Sequence, residues 1–551
     1  MCGLRAAARV IDVAGPIRDQ WRMADVSKPG GETALPGGRS SLGSRLARLT
    51  PPQIVILFIV LGALVRIPAT SQFGLDFDGV YSTVIARQWA WSYFDHPPMH
   101  YWLVHLASSL LGTDAPWAVR IPYMLLHAGS TWLLFRIASR AFGEWAGVWA
   151  AAGFSVAAIF AAAYSHFVIP DGPLYFFSLL AAYLLLPALL AAPGEDVSAE
   201  LRWMGAGLAG GCALLSKYSA VLFFLGLFIF LLTSKQQRHW FVRRAPWIAA
   251  VLCVAMFSPV VLWNWQNDWI SFSFQGKRAL PFADGGFKSL FESIGMQMFF
   301  LFPWIFVPMA AAFGKALIIG PRDQARWFFA CLAACPILIF TLLNLMHRGL
   351  PHWTMPGWLF VFPLLGAEIV QTTSFWRKRA WHTAVWTAVI LVTAIAVLVA
   401  EVRLGLYSRV SAWLFPSAQV DVRDPTFGLF EWDGLEALLR RNGLLDDSIK
   451  FIATIHWHHT ARVGYVMGRQ YPVICIDRDT RHFGLVHDLP AFRNASGLLI
   501  DLAGIVDGSA KLVDGRFERR GPRMLLDLSR GARPPLRLSV ERVSGLKPMP
   551  Q

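Results

Sequence analysis

Charge and cysteine are both scarce in this chain. Of its 551 residues, 15% are charged, 55% are hydrophobic and six are cysteines, whereas ordinary soluble domains carry about 25% charge. So few polar groups cannot cover a soluble globular protein of this size, and the high hydrophobicity excludes disorder over most of the length. The cysteine and glycine contents exclude disulfide-rich and collagen-like classes. A polytopic α-helical membrane protein remains.

Long apolar runs take the place of charge. We predict about eleven transmembrane helices, because backbone groups in lipid must form hydrogen bonds within their own segment. The predicted spans are 53–69, 118–138, 143–164, 172–192, 203–216, 219–233, 246–264, 291–313, 327–345, 354–370 and 382–400. Two of them, 203–216 and 219–233, are short for a full span of about 20 residues.

Lysine and arginine predict the orientation. Residues 1–50 form a basic tail that we expect to be disordered and cytoplasmic, with no cleaved signal peptide and with the start at Met1 or Met23 left open. Alternation of the spans then places four basic loops and one acidic loop, 193–202, in the cytoplasm. This pattern requires that 98–112 is an interfacial helix on the outer face and not a span.

Composition divides the chain into three predicted regions: the tail, a transmembrane domain at 51–401 with an outer loop at 71–117, and a small soluble α/β domain at 402–551. Charges and turn residues return after residue 400, which puts this last domain on the outer side. A helical run covers 432–441. The β-like runs are 449–454, 472–476 and 497–502, and 517–543 is a candidate hairpin.

Unusual polar residues gather on the outer side of this topology. A charge in lipid costs at least about 2.5–3.5 kcal/mol, so Lys217, between two apolar runs, should face a cavity or partner; snorkelling to the interface is the alternative. Asp171 follows Pro170 at a span boundary, where a helix N-cap is the alternative. The other candidates are Asp76, Asp78, Tyr81, Asp95, His96, Tyr218, Gln275, Lys277, Arg278 and His352.

The alternative for Asp76 and Asp78 is that they are solvated loop acids, and residues 95–98 could form only a rigid turn. Because these residues fall on the same predicted face, we favour a shared cavity. Carboxylates and cations at the outer interface suit an anionic lipid-linked substrate. A polyprenyl phosphate sugar would keep its tail in the bilayer and its phosphate, the leaving group, near cations that stabilise the developing charge. The acceptor hydroxyl needs a carboxylate base, for which Asp78 is the candidate.

Six motifs stand out along the chain. They are Asp-Gly-Val-Tyr-Ser at 78–82, Tyr-Phe-Asp-His-Pro-Pro at 93–98, Pro-Asp-Gly-Pro-Leu at 170–174, Ser-Lys-Tyr-Ser-Ala at 216–220, the stretch 258–275 and Pro-His-Trp at 351–353. Together they resemble glycosyltransferase family 39, which has the GT-C membrane fold and includes protein O-mannosyltransferase-like enzymes and lipid A aminoarabinose transferases. The resemblance runs from about residue 55 to 500. Gly79 stands where the family usually has Glu, and Asp76 is the candidate to compensate.

The resemblance implies an inverting transfer from a polyprenyl-phosphate sugar to lipid A, lipopolysaccharide core or another envelope glycan, on the periplasmic face of the bacterial inner membrane. The implied catalytic residues are Asp78 and Asp171. The resemblance places Lys217 and His96 at the donor phosphate, and we predict Arg278 and Tyr81 as further phosphate-binding residues. The other predicted cavity residues are Asp76, Asp95, Tyr218, Gln275 and His352.

Three other functions stay open at this point. A protein acceptor is the runner-up within the class, and an inactive binding protein is hinted at only by Gly79. A lipid-linked sugar transporter should show paired broken helices in related halves, but no two halves of the chain match. No cofactor is certain, although a divalent metal stays open. Nucleic acid is not an expected partner, because much of the excess of 15 positive charges belongs to the tail and cytoplasmic loops.

Overall fold

The computed structural model describes a chain that is helical up to residue 414 and mixed α/β after it. The described residues are 49–191, 198–279, 285–346, 349–414, 427–429, 432–503, 513–530 and 533–548. The predicted tail at 1–50 lies outside them except for its last two residues. From Thr50 onward the described residues fall in one compact unit.

Seventeen α-helices are described before residue 415. They are α1 (Pro51–Thr70), α2 (Phe77–Ala86), α3 (Met99–Leu111), α4 (Pro116–Phe142), α5 (Glu144–Val156), α6 (Asp171–Leu190), α7 (Ala199–Ser216), α8 (Val221–Thr233), α9 (Arg244–Gln266), α10 (Ile270–Ala279), α11 (Phe287–Leu301), α12 (Pro303–Ile319), α13 (Gln324–Leu343), α14 (Met355–Leu359), α15 (Phe362–Gln371), α16 (Ser374–Leu404) and α17 (Leu406–Leu414). A π-helical segment, Ile159–Ala163, follows α5. The 3-10 helices here are Tyr218–Ala220, Arg238–Val242, Gly320–Arg322 and Pro351–Thr354.

Six described helices are long and apolar enough to cross a membrane, and one bent pair brings the number to at most seven. The six are α1, α6, α9, α12 continued to Arg322, α13 and α16. These helices establish a multi-pass membrane protein, but the predicted number of about eleven spans is not confirmed. Helix α4 contains three arginines, and α5 and α8 have 13 residues each.

Two predicted spans are interrupted by prolines. The predicted span at 291–313 is divided into α11 and α12, because Phe302 takes a positive φ of 63° immediately before Pro303. The predicted span at 354–370 is bent by 54° between Pro351–Leu359 and Phe362–Gln371. An apolar run therefore predicted membrane burial at these places without predicting a continuous helix.

A six-stranded sheet forms the C-terminal region. Its strands are β1 (Ile449–Thr454), β2 (Val473–Cys475), β3 (Ser496–Leu502), β4 (Phe517–Arg520), β5 (Met524–Arg530) and β6 (Arg533–Leu546). Helices α18 (Leu435–Arg441), α19 (Trp457–Met467) and α20 (Phe483–Val486) and the 3-10 helices Phe427–Leu429 and Leu489–Phe492 accompany it. Strand β1 pairs in parallel with β2 and β3, while β6 pairs antiparallel with β3, β4 and β5.

The predicted strands correspond closely to the observed ones. Strand β1 coincides with the predicted run at 449–454, and β5 with β6 forms the hairpin expected within 517–543. The core of the sheet is aliphatic, and Ile452, Leu498 and Leu538 are fully buried within it. Short β-branched and apolar runs between turns were sufficient to predict this part of the fold.

The sheet region is hydrogen-bonded to the segment 71–117, for which we keep the name outer loop from the predicted topology. Arg87, just after α2, donates to the carbonyls of Gly464 (2.6 Å) and Tyr465 (2.9 Å) in α19. In return, Arg462 of α19 donates to the carbonyl of Leu75 at 2.8 Å. These bonds hold the C-terminal region over the loop in which several candidate residues lie.

Candidate functional site

One cavity of about 660 Å³ contains nearly all the residues singled out from the sequence. The candidate residues that line it are Asp76, Asp78, Tyr81, Asp95, His96, Asp171, Lys217, Tyr218, Gln275 and His352. Lys277 is exposed and is not part of the lining, and the side chain of Arg278 lies outside the described part of the chain. The volume is that of a typical small-molecule site.

Lys217 and Asp171, here called the membrane pair, form an ion pair between two apolar helices. Lys217 follows α7 in an extended conformation, and Asp171 is the first residue of α6. The Lys217 Nζ donates to both carboxylate oxygens of Asp171 at 2.9 Å, and the Tyr175 hydroxyl donates to one of them at 3.2 Å. Asp171 is only 3% exposed. Its carboxylate is therefore paired with Lys217, and it does not cap the helix.

Arg481 and Asp95, here called the domain pair, form a second ion pair on the same cavity. The Arg481 Nη1 donates to Oδ2 of Asp95 at 3.1 Å. The hydroxyls of Tyr81 (2.7 Å) and Tyr101 (3.4 Å) donate to Oδ1. Burial raises the pKa of Asp95 above its usual range, while Arg481 and the Tyr81 hydroxyl act against that rise.

Arg481 is the charged residue of the described cavity lining that the sequence did not lead us to predict. It follows β2 in the C-terminal region, whose charged residues are too ordinary to attract notice. One signal was available, because β1, β2 and β3 are parallel and ligands bind beyond the carboxyl ends of parallel strands. His456 after β1 and Asp477 after β2 bond there at 3.0 Å, so this edge is rich in polar groups.

The residues after Arg481 close the cavity against the outer loop. The backbone N–H of His482 donates to the Tyr81 hydroxyl at 3.1 Å, and that of Phe94 donates to Nδ1 of His482 at 3.2 Å. Burial lowers the pKa of His482 to about 4, which is consistent with a neutral ring that accepts a hydrogen bond. The Tyr81 hydroxyl is thus occupied by Asp95 and His482, and its predicted role in phosphate binding stays a prediction.

Asp78 and Asp76 lie at the start of α2 with different environments. Asp78 is exposed and lines the cavity in the first turn, whereas Asp76 is the N-cap residue. Burial raises the pKa of Asp76, and Arg120 acts against this. A Cβ on Gly79 would lie 2.8 Å from Oδ1 of Asp76. The Asp76 carboxylate therefore occupies the space where a side chain at position 79 would begin.

The remaining lining residues come from several helices. The Tyr218 hydroxyl and the Ser271 Oγ are 2.6 Å apart, and Gln275 of α10 donates to the backbone carbonyl of Asp95. The rings of His96 and His100 are 5.7 Å apart. Within the described ranges, no group of three or more His, Cys, Asp and Glu side chains is placed to hold a metal ion.

Comparison with known proteins agrees with this architecture. The family model for dolichyl-phosphate-mannose-protein mannosyltransferases matches residues 95–263. Lipid A galacturonosyltransferase RgtD of Rhizobium johnstonii is 25% identical over 292 residues, which cover 50% of this chain and 57% of that protein. The chain thus matches little more than half the length of this curated relative.

Two crystal structures resemble nearly the whole chain. ArnT from Cupriavidus metallidurans bound to undecaprenyl phosphate has a TM-score of 0.60 at 16% identity, covering 90% of this chain and 99% of that one. The apo form has a TM-score of 0.61 at 15% identity, covering 89% and 97%. The fold shared with these two structures and the apolar helices define a multi-pass membrane protein. The expected resemblance to family 39 glycosyltransferases is confirmed.

Proposed function

We propose that the protein is an inverting glycosyltransferase that moves a sugar from a polyprenyl-phosphate donor to an envelope glycolipid. The observation that carries this proposal is a single cavity in which the exposed carboxylate of Asp78 shares the walls with the membrane pair. Transfer takes place on the periplasmic face of the inner membrane. The C-terminal region lies on that face, and about eleven segments cross the bilayer.

The donor would enter at the membrane pair. Lys217 comes from apolar helices, so its ammonium group is suited to a phosphate whose tail remains in lipid. An apolar wall for the first prenyl units is supplied by Val221, Leu222, Phe300, Ile339 and Phe340. The ArnT structure that contains undecaprenyl phosphate supports this class of donor. His96 is the second proposed phosphate contact.

The chemistry requires one base and one stabilised leaving group. The acceptor oxygen attacks the anomeric carbon while Asp78 takes the hydroxyl proton. The carbon–oxygen bond to the phosphate breaks, and polyprenyl phosphate leaves with the electron pair. Lys217 stabilises the negative charge that develops on the phosphate. Attack opposite the leaving group inverts the anomeric centre.

The named relative indicates which substrates to test first. RgtD is a lipid A galacturonosyltransferase, so a polyprenyl-phosphate galacturonic acid donor and a lipid A acceptor form the first assay. Lipopolysaccharide core and a periplasmic peptide are the next acceptors, because the matching family model is that of protein mannosyltransferases. An arm with EDTA tests for a divalent metal.

The proposal is tested by the substitution Asp78→Asn in full-length protein in nanodiscs. Loss of the base should lower kcat by about 100-fold or more while donor binding and thermal stability stay unchanged. Asp488→Asn, at an exposed position outside the cavity, is the matched control. Full activity of Asp78→Asn would remove Asp78 from the base role. Sugar crossing the bilayer with no new glycosidic bond would show a transporter instead.

A further inference from the structure

The C-terminal region places a cation directly on the substrate cavity. Arg481 follows the carboxyl end of β2, lines the cavity and has a positive φ of 49°. A non-glycine residue rarely adopts this left-handed conformation, and strain of this kind concentrates at functional sites. The backbone here is thus held in a costly conformation that directs Arg481 into the cavity.

The Arg481 guanidinium is held by two carboxylates and two aromatic rings. Its Nη1 donates to Asp95 and its Nε donates to Asp479, both at 3.1 Å. The rings of Trp457 and Phe274 lie against it, with centroids 4.8 and 5.1 Å from its central carbon. Among the described residues Nη2 has no hydrogen-bond partner, and the side chain is 19% exposed. Nη2 is therefore the guanidinium nitrogen left for a ligand, on a residue that lines the cavity.

We propose that Arg481 is a substrate-binding residue, and that its Nη2 edge donates to a phosphate oxygen of the acceptor glycolipid. This inference rests on the proposed glycosyl transfer. A planar guanidinium held by stacking is pre-organised for phosphate oxygens. The C-terminal region therefore supplies part of the site in addition to covering it.

The position of Arg481 favours the acceptor over the donor. Lys217 reaches the cavity from the apolar helices α7 and α8, where a lipid-linked phosphate would lie. Arg481 reaches it from a sheet region outside the helical part, after β2. Two cations that come from different parts of the chain suit two anionic groups, one on each substrate.

A purely structural role in docking the sheet region is already filled by other residues. Arg87 donates to the carbonyls of Gly464 and Tyr465, and Arg462 donates to that of Leu75. None of these groups lines the cavity. Loss of Arg481 should thus leave the sheet region in place.

The test compares bisphosphorylated lipid A with the same lipid A after phosphatase treatment. Arg481→Ala in full-length protein should lower the ratio of kcat/KM for the two acceptors by about tenfold. If the substitution also disturbs Asp95, the activity towards both acceptors should fall by the same factor, and this effect cancels in the ratio. Arg481→Lys should restore part of the ratio. Arg478→Ala, at an exposed position three residues earlier, should not change it.

An unchanged ratio in an active Arg481→Ala variant would overturn the inference and leave the proposed function intact. An increase in the KM for the donor alone would overturn it as well. Failure of the wild-type protein to transfer sugar to either acceptor would contradict the proposed function. In that case, native mass spectrometry still tests Arg481 by measuring the binding of each lipid A to wild type and to Arg481→Ala. A variant that loses binding of the phosphorylated lipid more than that of the treated lipid supports the inference. A variant that binds both lipids as wild type does overturns it.

Discussion

The two ion pairs on the cavity are similar in chemistry and opposite in origin. The membrane pair joins residues 46 positions apart at the ends of neighbouring apolar helices, whereas the domain pair joins residues 386 positions apart, in the outer loop and after β2. In both pairs a buried carboxylate meets a cation at about 3 Å. One part of the site is thus contributed by apolar helices, and another part by a region whose composition is that of an ordinary soluble domain.

The two acids also differ in what they retain without their cations. Asp171 would keep one hydroxyl donor, from Tyr175, whereas Asp95 would keep two, from Tyr81 and Tyr101. A buried charge without compensation is costly, and hydroxyl donors offset part of that cost. The membrane pair should therefore be the more sensitive of the two to removal of its cation.

The largest stability effect is expected for Lys217→Ala. It leaves the Asp171 carboxylate buried with a single hydroxyl donor, so unfolding free energy should fall by about 3 kcal/mol or more. Arg481→Ala should cost less. Thermal unfolding in detergent measures both, with Lys288→Ala, whose side chain is 91% exposed, as the control. Equal losses for the two variants would break the comparison, and adding Asp171→Ala to Lys217→Ala should recover part of the loss.

A smaller effect is expected in the pH dependence at Asp95. Because burial raises its pKa, the folded protein favours the protonated carboxyl more than the unfolded chain does. That stabilisation is full below the ordinary carboxyl pKa and is lost as the pH rises through the raised folded value. The Tm of Asp95→Asn minus the Tm of wild type should therefore increase from about pH 4 to 8.

The Arg481→Ala background sharpens this measurement. Arg481 opposes the rise in the pKa of Asp95, as does the hydroxyl of Tyr81, and Tyr101 also faces the carboxylate. Removal of the guanidinium should move the pH-dependent shift to higher pH. A Tm difference that does not change with pH would mean that Asp95 has the same pKa in the folded and unfolded states.

The sequence allowed the membrane side of the site to be predicted because charge is rare there. Lys217 and Asp171 stand out between apolar runs, and both line the cavity. Arg481 could not be recognised in the same way, because charged turns are common in soluble regions and its position depends on how the sheet region lies over the outer loop. Asp76 required coordinates too, since only they show its carboxylate over Gly79.

The fold, too, was easier to predict in one region than in the other. Strand β1 was predicted to the residue, because alternation and turn signals are local. The predicted number of membrane spans was not confirmed, because hydropathy detects apolar segments but does not show whether a helix is continuous. Phe302 before Pro303 divides one predicted span, and the bend between α14 and α15 distorts another.

The most direct test of two substrate ends on one cavity is a set of four KM values. Steady-state transfer is measured for Lys217→Ala and for Arg481→Ala. For each variant the donor is first varied at saturating phosphorylated acceptor, and the acceptor is then varied at saturating donor. Lys217→Ala should raise the KM for the donor, and Arg481→Ala the KM for the acceptor. If both variants raise the same KM, the cavity does not have separate donor and acceptor ends, and the account is contradicted.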